Sequence, residues 1–138
     1  MSLTAIRPYF KARGEAVGLK YNSDVFNNEN IPSNILDKSF GVSFNNVRGQ
    51  KLNQQDQEMS VAVEITLFIK GYRSIVDGLD RAVLLSENLV KEVEKPSNRL
   101  GTSIKNVSLS SIDFSPVESN DNIVTAKILF NVFLSIGL

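Results

Sequence analysis

Val124-Thr125-Ala126-Lys127-Ile128-Leu129-Phe130-Asn131-Val132-Phe133-Leu134-Ser135-Ile136-Gly137-Leu138 is the stretch that decides the fold. Its even positions are apolar at every step. Its odd positions mix Thr125, Lys127, Asn131 and Ser135 with Leu129 and Phe133. Successive side chains of an extended chain point to opposite faces, so this period of two predicts one long strand with its even face on a core. The mixed odd face implies that something covers it in part.

Upstream, a second alternation fits the first. Met59, Val61, Val63, Ile65, Leu67 and Ile69 are all apolar, with Ser60, Ala62, Glu64, Thr66, Phe68 and Lys70 between them. Phe40, Val42 and Phe44 alternate with Gly41, Ser43 and Asn45 just before it. Strands this close in sequence pair as a hairpin, predicted over residues 39–70, with a polar tip that contains Gly49. Residues 104–114 form a weaker, Ser-rich strand. There Val107 and Leu109 share one parity and Ile112 and Phe114 the other, the signature of a bulge. Together with the terminal stretch they predict a second hairpin over residues 103–138.

Between the hairpins lies an amphipathic helix over residues 74–95. Ser74 is its cap and Pro96 its stop. Ile75, Val76, Leu79, Ala82, Val83, Leu89, Val90 and Val93 form its apolar stripe, which Leu84 and Leu85 widen. Leu3, Ile6, Phe10 and Val17 recur at helical spacing over residues 1–19, with Ser2 or Thr4 as cap and Gly18 as stop. Pro8 is tolerable only near the first turn. Residues 20–38 read as an irregular, Asn-rich segment pinned by Val25, Phe26, Ile31, Ile35 and Leu36. The expectation is a single α+β domain over residues 1–138. It has a four-stranded, mainly antiparallel sheet, two hairpins joined by a helix, with two helices packed on one face.

Fifteen Lys and Arg balance fifteen Asp and Glu, which argues against a general nucleic-acid binder. There is no Cys and no His, so thiolate chemistry, Cys-based zinc sites and the commonest general base are all missing. Asp77 and Asp80 are three apart on the long helix and Glu64, Asp113 and Asp121 are scattered, a set better explained as solvated surface than as acid–base machinery. Ser108, Ser110 and Ser111 lack a base in any recognisable motif. We therefore expect no catalytic, cofactor or metal site and no enzyme activity. The N-terminus lacks the pattern of a signal peptide and no apolar run is long enough for a membrane span, so the expected compartment is cytoplasmic.

Two surfaces are candidates for contact. Phe68, Leu129 and Phe133 lie on the non-core parity, where an antiparallel sheet is usually polar. They predict a subunit interface, unless residues 20–38 fold back over them. The hairpin tip, with Arg48, Lys51, Gln54, Gln55, Asp56 and Glu58, is either a partner-binding loop or an ordinary solvated turn.

Taken together, the N-terminal helix, the irregular segment of residues 22–36, the strand Val61-Ala62-Val63-Glu64-Ile65-Thr66-Leu67-Phe68-Ile69, the helix from Ser74 and the apolar terminal strand resemble the tail terminator proteins of long-tailed bacteriophages. The resemblance spans nearly the whole chain. It implies a structural virion protein of the tail or neck, assembled in the host cytoplasm. Such a protein forms a hexameric ring with itself, caps the tail tube protein, stops tube polymerisation and presents a surface to a neck or head-completion protein. It also implies a ring through which the genome passes without specific binding, and no membrane partner. On this reading the tip residues would meet the tube or neck. The alternative is a small α+β binding or accessory domain, or another neck or connector protein, acting as monomer or dimer.

Overall fold

A computed structural model describes residues 3–22, 36–51, 56–116 and 122–137. The fold is α+β, built on a five-stranded mixed sheet in the order β1-β2-β3-β5-β4. The strands are β1 (Lys20–Tyr21), β2 (Ser39–Lys51), β3 (Asp56–Lys70), β4 (Ile104–Pro116) and β5 (Ile123–Gly137). The helices are α1 (Ile6–Ala16), preceded by a 3-10 turn at Leu3–Ala5, and α2 (Ile75–Glu94), followed by another at Pro96–Arg99. None of the described helices is long and apolar enough to cross a membrane.

The terminal stretch lies inside the sheet, as its even face demands. β5 pairs antiparallel with β3 from Lys70↔Ile123 to Asp56↔Gly137, and with β4 on its other side. Val124, Ala126, Ile128, Phe130, Val132 and Leu134 are all fully buried, as are Val61, Val63, Ile65, Leu67 and Ile69 of β3. Ile6, Tyr9 and Phe10 of α1 and Ala82, Leu89 and Val93 of α2 join the same cluster, so both helices cover this one face. The parity switch in β4 is a register shift between Leu109 and Ser111, which returns Ile112 and Phe114 to the core side opposite Ile128 and Ala126.

Two features depart from the expected sheet. It has five strands where four were expected, and β1 runs parallel to β2, so the sheet is mixed. β1 is two residues long, too short to show any period, and is fixed by Lys20 N–H donating to the Lys38 carbonyl at 2.8 Å and Asn22 N–H to that of Phe40 at 3.0 Å. The hairpin strands also run further than expected. Gln50 pairs with Glu58 and Lys51 with Gln57, and residues 52–55 lie outside the described ones. β5 supports that extension from the other side, because Gln57 and Glu58 also face Ile136 and Ser135.

The helices keep their expected places with altered detail. α1 has Ala5 as N-cap, with no side-chain cap bond. Pro8 is its third residue, where the N–H has no intrahelical partner in any case. It ends at Gly18 (φ +88°) with Leu19 N–H donating to the Gly14 carbonyl (3.0 Å) and Gly18 N–H to that of Glu15 (3.1 Å), which satisfies two orphan carbonyls. In α2, Ser74 Oγ accepts from Asp77 N–H as expected. The buried stripe runs through Gly78, Ala82, Ser86, Leu89 and Val93. Val76 and Val83, expected inside, are exposed, and so is Leu84. The reason is close approach: a Cβ on Gly78 would stand 3.0 Å from Val124 Cγ2, so small residues at four-residue spacing face the sheet and turn the larger ones outward.

Tyr9 joins the two helices. Its hydroxyl donates to the Val93 carbonyl at 2.7 Å, one of the orphan carbonyls at the C-terminus of α2. Burial raises the Tyr9 pKa above its ordinary value. The folded state therefore holds the phenol proton more tightly than the unfolded state. That contribution is complete below the unfolded value near 10 and is lost as pH rises through the folded value. Tyr9→Phe is expected to cost about 1 kcal/mol at neutral pH and to lose less stability than the wild type on going to alkaline pH. Urea unfolding of both proteins across that range reads the difference. Parallel curves at all pH values would remove Tyr9 from the alkaline transition.

Candidate interaction surface

The outer sheet face is built by the residues that alternate with the core. Reading across β2, β3, β5 and β4, one row is Ser39, Phe68, Thr125 and Ser115, and the next is Gly41, Thr66, Lys127 and Asp113. Then come Ser43, Glu64, Leu129 and Ser111, followed by Asn45, Ala62, Asn131 and Ser108. The described helices all lie on the other side.

The three residues predicted as a subunit interface do not form one patch. Phe68 is only 3% exposed and forms a second small cluster with Leu36 and Ile123. Leu36, from the end of the irregular segment, covers it, so Phe68 drops out as an interface residue. The alternative that the segment folds back holds at Leu36. Leu129 and Phe133 remain partly exposed, four positions apart on β5 with Asn131 between them on the same face. Leu129 lies between Glu64 and Ser111, and Phe133 between Ser60 and Asn106. The surface is thus two apolar side chains on a face of small and polar residues.

Leu36 is held there by a polar junction that the sequence did not advertise. Asp37, 7% exposed, accepts from Lys70 N–H at 2.8 Å through Oδ1 and from the Tyr72 hydroxyl at 3.0 Å through Oδ2. The Arg81 guanidinium lies 3.6 Å from Asp37 Oδ1, donates to the Lys70 carbonyl and stacks 4.7 Å over the Tyr72 ring. Lys38 follows at φ +64°, its N–H donating to the Phe68 carbonyl at 2.8 Å. A carboxylate with this many donors ties the start of β2 to the start of α2. The nearest sequence signal was an isolated Asp before Lys38, which carries no periodicity.

The tip residues are divided. Arg48 and Lys51 belong to β2 and Asp56 and Glu58 to β3, all within the paired ladder, with Arg48 opposite Ser60. They are strand positions where a loop was expected. Gln54 and Gln55 lie outside the described residues.

The carboxylates considered for chemistry are dispersed. Asp77 Oδ2 accepts from Tyr72 N–H at 2.8 Å and so serves the turn into α2. Asp80 is exposed, Glu64 stands between Ser43 and Leu129, and Asp113 is opposite Lys127. Among the described residues no group of three acidic side chains gathers to hold a metal. Glu92 has its carboxyl held below the usual range by the hydrogen bond from Lys95 at 2.9 Å, with Asn98 adding to it, and it lies at the C-terminus of α2, two residues before Glu94. Ser110 and Ser111 are exposed on β4. No protein-family model and no curated protein matches the chain.

Proposed function

We propose that the chain is a structural, ring-forming component of a phage tail, a tail terminator that caps the tube and stops its growth. The observation that carries this reading is the one-sided sheet. Both described helices lie on one face, and the opposite face leaves Leu129 and Phe133 partly exposed on β5. A partly exposed Phe and Leu on a slab of small residues suit contact with another copy, and the order of elements is the one the resemblance rests on. On this reading the tube, the neck and further copies of the chain are the partners, and the protein acts stoichiometrically, by shape.

A monomeric or dimeric accessory domain is the second reading. It is favoured by the polarity around the two apolar residues, where Glu64, Asn131 and Lys127 interrupt any continuous patch. Sedimentation velocity, alone and with tube protein, separates the two. The ring reading expects a species of about six subunits, and Phe133→Glu should reduce it at least tenfold in population without unfolding the chain. In a polymerisation assay, tubes should shorten in proportion to added rings. A protein that stays monomeric or dimeric both alone and on tubes would leave the accessory-domain reading.

A further inference from the structure

We propose that the outward face of α2 is a docking surface for a basic amphipathic helix of a partner protein. α2 carries apolar side chains on two faces. Its inner stripe begins with the small residues Gly78, Ala82 and Ser86, which seat the helix close to the sheet, and continues through Leu89 and Val93. The large side chains turned outward are Val76, Val83 and Leu84, which are 59%, 41% and 58% exposed. Single exposed apolar residues are ordinary on a protein surface, but three on the outward side of one helix make a patch. A helix that is apolar on more than its inner stripe is built to bury a second face.

The patch is acidic along its middle. Asp80 and Glu87, both exposed, are seven residues apart. That separation is two helical turns, about 10 Å, and it aligns them in one ridge. The same helical period puts Val76 and Val83 on one side of the ridge and Leu84 on the other. Arg81, the cation next to Asp80 in sequence, is turned to Asp37 and the Lys70 carbonyl. Asp77 serves the turn before the helix by accepting from Tyr72 N–H. Lys91 closes the far end of the ridge, one turn beyond Glu87.

Charge selects the occupant. A second copy docking by the same face would pair α2 antiparallel about Val83 and Leu84. Asp80 and Glu87 stand equally far on either side of that centre. Each Asp80 would then meet the Glu87 of the other copy, like charge on like, twice over. Nucleic acid and other phosphate-bearing partners are repelled by the same ridge. A helix with Lys or Arg at i and i+7 and apolar residues at i+3 and i+4 reverses every sign. Its cations would lie on Asp80 and Glu87, and its apolar pair would pack on Val83 and Leu84.

The test is fluorescence anisotropy on the full chain with a labelled, Ala-rich helical peptide carrying Lys at i and i+7 and Val-Leu at i+3 and i+4. The same peptide with Glu in place of Lys is the control. The Lys peptide should bind saturably and at least about tenfold more tightly than the Glu peptide, the effect of two charge pairs. Leu84→Ser, at an exposed position, should weaken the Lys peptide about tenfold. The double variant Asp80→Lys with Glu87→Lys should exchange the preference, so that the Glu peptide binds the tighter, with circular dichroism confirming the fold. If the double variant unfolds, the peptide preference and Leu84→Ser decide. Equal binding of the two peptides, or indifference to Leu84→Ser, would overturn the proposal. So would a fall in oligomer size on Leu84→Ser with neither peptide bound, which would give the face to another copy. The assay needs neither rings nor tubes, so the ring reading and this one fail separately.

Discussion

Phe130→Ala is expected to cost about 3–5 kcal/mol of folding stability, the range for truncating a fully buried aromatic. Phe130 sits in the inner strand β5, opposite Val63 on one side and Leu109 on the other. It is completely buried, and its ring lies 5.4 Å from that of Phe10 at an interplanar angle of 42°. This is where α1 meets the sheet. A cavity there is closed off by β3 and β4 on either side and by Phe10 of α1 above, so solvent and surface side chains do not fill it. For a domain whose total stability is of the order of 5–15 kcal/mol, the loss is a large fraction. Denaturant unfolding should show a lowered midpoint with an unchanged slope. Phe10→Ala in the same background should cost less than it does in the wild type, since the two rings share contacts. A loss under about 1 kcal/mol for Phe130→Ala would mean that the α1–sheet junction is not packed as described.

That prediction uses the part of the fold that was most legible in the sequence. β5, β3 and the length of α2 were all readable from periodicity, because burial on one face leaves a period in the residues themselves. The bulge in β4 was legible for the same reason: Leu109 and Ile112 changed parity. What stayed hidden depends on contacts distant in sequence. β1 has two residues and so no period. The extension of the hairpin through Lys51 and Asp56 is written in polar residues, and it is the ladder that holds them in strand, Lys51 against Gln57 and Asp56 against Gly137 of β5. On α2 the stripe was legible at Ala82, Leu89 and Val93 and misread at Val76 and Val83, because Gly78 and Ser86 do not look like core, although small size is what lets the helix approach Val124.

The interaction surface divides the same way. Alternation placed Phe68, Leu129 and Phe133 on the outer parity, and the register agrees. It could not reveal that Leu36, thirty-two residues before Phe68 by number, lies over that ring. Nor could it show that Asp37 would draw together Lys70, Tyr72 and Arg81. Those contacts are decided by tertiary closure, and each residue alone has an ordinary surface reading. The β2 edge is similar. Arg7 is an unremarked helix residue until the fold brings its guanidinium to the Val42 carbonyl of β2.

Gly71→Ala is the second large effect, expected at about 3 kcal/mol, the top of the usual range for overpacking. Gly71 follows β3 and its N–H donates to the Asn122 carbonyl at 2.8 Å, joining the exit of β3 to the entry of β5. A Cβ there would lie 2.2 Å from the Ser74 carbonyl oxygen, 2.6 Å from Gly78 N and 2.9 Å from Gly78 Cα. All three are backbone atoms, so no side chain can rotate away. The turn into α2 would have to open, which pulls on the Ser74 cap and on the Gly71–Asn122 bond together. Gly18→Ala supplies the contrast. Its Cβ would meet nothing within 4 Å, and only the positive φ of +88° opposes it. That strain costs roughly 1–2 kcal/mol. Thermal melts of the two variants should therefore rank Gly71→Ala well below Gly18→Ala. If the order is reversed, the β3–α2 turn has room that the geometry denies, and the tight seating of Gly78 against Val124 would be wrong with it.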